Sequence, residues 1–202
     1  AKRGIYMDMK NKENLFNIPN CLCYFRILLI PIFLYVYFRS EFEYHFIVAA
    51  FVLVLSGISD FLDGFIARKY DMITDFGKLI DPIADKLTQF TIAITLLFNY
   101  PLAWILLIII VLKDGMLGIV GLYLYDYGLK IQGASWWGKI ATAYFYIIVI
   151  LLIGLHIPDT MASTVLIITS SALMLLSFIL YGKELNYLVK EKEKLLNEQK
   201  RN

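Results

Sequence analysis

The sequence predicts an all-α integral membrane protein: a single domain, 1–202, of six transmembrane helices, with a short interfacial helix before them and an amphipathic helix after them. Three observations predict it. Of 202 residues, 59% are hydrophobic and only 18% charged, with a mean hydropathy of +0.67, too apolar for a water-soluble domain of this size. The apolar residues gather into six runs, each near the roughly 20 residues a helix needs to cross a bilayer. Most of the charge collects between the runs, and the densest exception is the stretch Asp60 to Asp85, which sets four aspartates against two of them.

The elements follow in chain order. Ala1 to Asn14 is a polar leader. Lys2, Arg3, Asp8, Lys10, Lys12 and Glu13 precede any apolar run, so it lacks the layout of a cleavable signal, and the first span is expected to serve as the insertion signal. Leu15, Phe16 and Ile18 predict a short interfacial helix that Pro19 ends. Span one is placed at Cys21–Phe38, with Arg26 near its start, either snorkelling to the headgroups or facing a site, and Pro31 in its middle. Cys21 and Cys23 are too few and too close for a disulfide framework or a four-ligand zinc site, and are read as packing residues.

Span two runs from Phe46 to Arg68 and span three from Gly77 to Tyr100, the aspartates falling at their adjoining ends. Pro101 opens span four, which reaches Tyr125 and contains Lys113 and Asp114. Asp126–Trp137 is a loop, span five covers Gly138–Leu155, and span six covers Met161–Tyr181. From Lys183 to Asn202 the tail is dense in Lys and Glu, with Leu185, Leu188, Leu195 and Leu196 at helical spacing, and is expected to form an amphipathic helix on the inner leaflet or at a dimer contact.

Basic residues set the orientation. They occupy the leader, the link after span two (Arg68, Lys69, Lys78), the loop after span four (Lys130, Lys139) and the tail. The loops after spans three and five have none, and the loop after span one only Arg39. The positive-inside rule then puts both termini, and the aspartate cluster, on the cytoplasmic side. A net charge of +2 gives no case for a nucleic-acid partner.

An ionised side chain at the centre of a membrane helix costs roughly 2.5–3.5 kcal/mol on insertion scales, so four close carboxylates need a reason. On a helix, Asp60, Asp63 and Ala67 share one face, and Gly77, Asp81 and Asp85 share another. Turned toward each other, the two faces gather four acids that cannot all ionise without cations. An all-oxygen ligand set suits hard ions, and with no His or Cys expected nearby, Mg²⁺ or Mn²⁺ is favoured. Gly64, Ala67 and Gly77 leave room for a bulky ligand, and Arg68 is placed to hold a phosphate. Together these features suggest a diphosphate ligand bridged by two metals, with a carboxylate taking a proton from an attacking hydroxyl. A plain ion-pair network would need more basic residues on these faces than they carry.

The pattern Asp60-x2-Asp63-Gly64-x2-Ala67-Arg68-x8-Gly77-x3-Asp81-x3-Asp85 resembles the complete signature of the CDP-alcohol phosphatidyltransferase family. The resemblance implies a six-span homodimer in phospholipid biosynthesis, placed here in a bacterial cell membrane, that transfers a phosphatidyl group from CDP-diacylglycerol to an alcohol and releases CMP. By that analogy Asp60, Asp63, Asp81 and Asp85 hold the metals, and Asp85 is also the base. Gly64, Ala67, Arg68 and Gly77 bind the CDP part, with Thr74 and the aspartates 60, 63 and 81 reaching it too.

For the acceptor, Asn17-Ile18-Pro19-Asn20 with Arg26 and Pro31, and Ala67-Arg68-Lys69-Tyr70, resemble the members of the family that use glycerol 3-phosphate. Lys113-Asp114 and Gly138-Lys139 fall where those members carry an Arg-Glu pair and a Gly-Lys-x-Lys-Thr segment, although Ala141 replaces its second lysine. Lys113, Lys139 and Arg26 are therefore the candidate acceptor-binding residues. Cardiolipin synthases, which take phosphatidylglycerol, share the opening pattern and form the alternative. A cation channel or transporter is the alternative of another class, but it would place acids near the midplane within a repeated architecture, and no repeat is visible.

Overall fold

A computed structural model describes residues 15–39, 43–125 and 136–199. The leader Ala1–Asn14, part of the loop after the first span, most of the Asp126–Trp137 loop with Lys130, and the last three residues lie outside the described residues. Those described contain six α-helices and no strand: α1 (Ile18–Phe38), α2 (His45–Lys69), α3 (Asp75–Leu96), α4 (Ala103–Tyr125), α5 (Trp136–Gly154) and α6 (Met161–Gln199).

Five of these helices, all but α3, are long and apolar enough to cross a bilayer, so the chain is an α-helical, multi-pass membrane protein. The expected third span departs from that standard because the stretch of α3 from Asp75 to Lys86 carries Asp75, Lys78, Asp81, Asp85 and Lys86. The interfacial helix is corrected outright. Residues 15–17 form no helix, and Pro19 lies in the first turn of α1, where its missing N–H costs nothing. Asn17 is the N-cap, its side chain accepting from the Asn20 N–H at 2.9 Å. Two boundaries also move: Pro101 falls in a turn before α4, and Trp137 belongs to α5.

The chain divides into two compact units, Ala1–Thr91 and Ile92–Asn202. In the first, α1 packs along α2. The buried face of α1 reads Cys23, Arg26, Leu29, Phe33 and Tyr37, a helical stripe of period three to four. The buried positions of α2 include Ala49, Ala50, Ser56 and Ser59, small residues that let two backbones approach. Arg68 and Lys69 occupy the last turn of α2, where cations meet the negative end of the helix dipole. Asp71 takes a left-handed φ of 53°, a conformation Asp tolerates, and reverses the chain. Thr74 then caps α3, its Oγ1 accepting from the Gly77 N–H at 2.9 Å.

In the second unit α6 receives both α4 and α5. Its seam is Ser163, Ile167, Ser170, Met174, Ser177 and Tyr181, all buried and spaced alternately four and three apart. The serines keep the seam thin enough for close packing. Tyr100 is buried and donates through its hydroxyl to the Ile157 carbonyl at 2.6 Å, fastening the turn between α5 and α6. The tail is not a separate element: α6 continues unbroken for 39 residues, since no proline or helix cap interrupts it after Tyr181.

Candidate active site

The site forms where the start of α1 meets the end of α2 and the start of α3. Asp60 and Asp63 are three apart on α2, and both turn toward α1. Arg26 of α1 lies among them, with its side chain only 2% exposed. Its Nη1 is 2.6 Å from Asp60 Oδ1 and 3.3 Å from Asp81 Oδ1, and its Nη2 contacts Asp63 Oδ2. Its Nε is buried with no hydrogen-bond partner. Asp85, one turn beyond Asp81, is half-buried, close enough to Asp60 for their charges to interact, and 3.9 Å from Lys86 Nζ.

One guanidinium facing three carboxylates leaves an excess of negative charge beside apolar helices. Such an excess favours a further cation. The donor set tests which one. Ligand atoms of Asp63, Asp81 and Cys23 lie within 4.8 Å of one another, and Asp60 and Asp81 remain half exposed, open to an arriving ion. These oxygens fit a hard divalent cation. Cys23 is buried, as a packing residue is, but its thiol corrects the expectation of no sulfur near the acids, donating to Asp63 Oδ2 at 3.3 Å. Cys21, by contrast, is exposed.

An open cleft adjoins the acids. Seven of the eight candidate CDP-binding residues line it: Asp63, Gly64, Ala67, Arg68, Thr74, Gly77 and Asp81. Asp60 is the exception and contacts Arg26 instead. Arg68 is exposed, with Nη1 3.2 Å from where a Cβ on Gly64 would stand, so the fork rests over the glycine and would shift slightly to admit a side chain there. Two asparagines of the Asn17-Ile18-Pro19-Asn20 pattern tie the start of α1 to the segment before α3, beside the cleft. Asn20, 1% exposed, donates from Nδ2 to Thr74 Oγ1 at 3.2 Å. Asn17 donates from Nδ2 to the Met72 carbonyl at 3.1 Å. Asn20, Cys23 and Arg26 recur every three residues, and that spacing was the available signal that they share a face.

Lys113 and Lys139 belong to the second unit. Lys113 is buried at 3% exposure, its Nζ 3.8 Å from Asp114 Oδ1 and 3.7 Å from Met174 Sδ. Lys139 is exposed and lies over the Trp136 ring, 5.7 Å from its centroid. Ala141, where a second lysine was sought, is buried on the packed face of α5.

Fold and site together define a multi-pass α-helical membrane protein with a cation-attracting carboxylate cluster beside a cleft. The family model described as CDP-alcohol phosphatidyltransferase matches residues 16–181, and the chain belongs to that family of enzymes. Relatives named CDP-diacylglycerol--glycerol-3-phosphate 3-phosphatidyltransferase are similar to it. The Haemophilus influenzae protein is 32% identical over 127 residues, 61% of this chain and 68% of the relative. The Rickettsia typhi protein is 43% identical over 81 residues, 40% and 45% of the two chains. The Salmonella choleraesuis protein is 32% identical over 130 residues, 63% and 71% respectively. Family membership leaves the channel or transporter alternative without support.

Proposed function

We propose that this protein makes phosphatidylglycerol phosphate, transferring the phosphatidyl group of CDP-diacylglycerol to glycerol 3-phosphate with release of CMP. The observation that carries the reading is the convergence of Asp60, Asp63 and Asp81 on one cationic position beside a cleft lined by the residues of the CDP signature. The names of the relatives support the acceptor.

Asp60, Asp63, Asp81 and Asp85 would hold two Mg²⁺ or Mn²⁺ ions. When bound, these supply charge neutralisation on the diphosphate. Gly64, Ala67 and Gly77 admit the nucleotide against the backbone, Thr74 contacts it, and the exposed fork of Arg68 pairs with a phosphate. Asp85 accepts the proton of the acceptor hydroxyl. The freed oxygen pair attacks the lipid-side phosphorus, and the bond from that phosphorus to the bridging oxygen breaks as CMP leaves with the electron pair. For the cations that a phosphorylated acceptor needs, Arg26 is the candidate in the first unit and Lys113 and Lys139 are the candidates in the second.

We further infer that α3 is a sixth span. Its 22 residues reach about 33 Å at 1.5 Å per residue, enough for the hydrocarbon core with the acidic face turned inward. An even number of spans agrees with basic residues at both ends of the chain, which the positive-inside rule assigns to the cytoplasm together with the site. A bacterial cell membrane and a homodimer complete the reading.

Purified protein supplied with CDP-diacylglycerol and Mg²⁺ or Mn²⁺ should release CMP with glycerol 3-phosphate and not with phosphatidylglycerol. Release with phosphatidylglycerol alone would instead assign cardiolipin synthesis. Asp85→Asn should still bind the CDP-lipid but not turn over, and normal turnover would remove Asp85 as the base.

A further inference from the structure

We propose that Arg26 is a built-in counter-cation that competes with divalent cations for the carboxylates of Asp60, Asp63 and Asp81, so that metal entry and release of the guanidinium are a single exchange. The inference rests on the reading of these aspartates as metal ligands.

The geometry sets the two occupants in competition for one oxygen of each of three carboxylates. Arg26 Nη1 is aimed at Asp60 Oδ1, 2.6 Å away, and at Asp81 Oδ1, 3.3 Å away, while Nη2 takes Asp63 Oδ2. A lone pair engaged by an N–H is not available to a small divalent ion, which needs its oxygens at about 2.0–2.1 Å in near-octahedral array. Charge points the same way. The four carboxylates of Asp60, Asp63, Asp81 and Asp85 are balanced by two divalent cations, which leaves a buried guanidinium in surplus.

The arginine is also held incompletely. Its Nε is buried without a partner, so the grip on it comes from the two Nη ends alone. A well-built structural ion pair would satisfy that N–H as well, because an orphaned buried donor is costly. Arg26 extends from α1, whereas its partners belong to α2 and α3. It therefore cross-links three helices at a point where the acids would otherwise repel, and a bound cation would replace that cross-link.

Competition of this kind obeys linkage: whatever Arg26 contributes to the metal-free protein is subtracted from metal affinity. The test is Mn²⁺ binding to the full-length protein in detergent without lipid substrate, read from the electron paramagnetic resonance of free Mn²⁺, together with thermal unfolding in chelator and in saturating Mn²⁺. Arg26→Gln should bind Mn²⁺ roughly tenfold more tightly than wild type, within the usual range of such couplings. It should melt lower than wild type in chelator and regain the difference in Mn²⁺. Wild-type binding with equal or weaker binding by Arg26→Gln would overturn the inference and leave the metal site standing. A wild-type protein that binds no Mn²⁺ would overturn both. If Arg26→Gln does not survive purification, Arg26→Lys, a point charge without the fork, must also bind more tightly than wild type, and equality would overturn the exchange.

Discussion

Asn20 Oδ1 stands 2.6 Å from the position that a Cβ on Gly77 would occupy, with Thr74 Oγ1 3.0 Å from the same point. The first turn of α1 and the first turn of α3 touch only because residue 77 has no side chain. That contact forms one wall of the cleft beside the acids.

Gly77→Ala should therefore push Asn20 and Thr74 outward. Overpacking of this kind costs about 1–3 kcal/mol. We expect a lower melting temperature and a raised KM for CDP-diacylglycerol, measured by CMP release. Unchanged values of both would show that the wall yields freely.

Thr74 serves both the helix and the wall, accepting from the Gly77 N–H at 2.9 Å and from Asn20 Nδ2 at 3.2 Å. Thr74→Ala removes these bonds and should cost about 1 kcal/mol from the lost cap, with more from the lost contact to Asn20. Thr74→Ser should keep most of the stability. Thermal unfolding of the two variants in one detergent separates them.

In the second unit Gly138 fits against the ring of Tyr181, where a Cβ would come within 2.8 Å of Cε2 and 2.9 Å of Cζ. Tyr181 is 6% exposed and has little room to retreat. Gly138→Ala should destabilise by about 1–3 kcal/mol. Adding Tyr181→Leu should recover part of that loss, and simple additivity of the two changes would argue against the clash.

Tyr100 gives a pH dependence. Burial pushes its phenol above the ordinary value, and Asp159 adds to the shift. A group whose folded value is raised contributes stability that is complete below its unfolded value, about 10 for tyrosine, and is lost as pH rises through the folded value. The melting temperature of wild type should fall above that point more steeply than that of Tyr100→Phe. At neutral pH the variant should be about 1 kcal/mol less stable, because the Ile157 carbonyl loses its donor.

The helices were legible from apolar run lengths because each is amphipathic or uniformly apolar over a span-length stretch. Their ends were less so. Pro19 can end a helix or open one, and the choice went to opening once Asn17 capped the turn. The tail was read as a separate helix because its composition changes at Lys183, yet a change from apolar to charged residues does not break backbone hydrogen bonding, and α6 passes through it.

By itself the sequence determined the membrane class, the family and the identity of the acids, since run length, charge placement and the spacing from Asp60 to Asp85 are local quantities. Only the tertiary structure decided what surrounds those acids. Helical spacing can place Cys23 and Arg26 on one face of α1, but it cannot say which helix that face meets. Packing of α1 along α2 brings the Cys23 thiol and the Arg26 guanidinium among carboxylates 34 to 55 positions away in the chain. Contacts between distant segments depend on how faces pair, and the chain's linear pattern carries no record of that pairing.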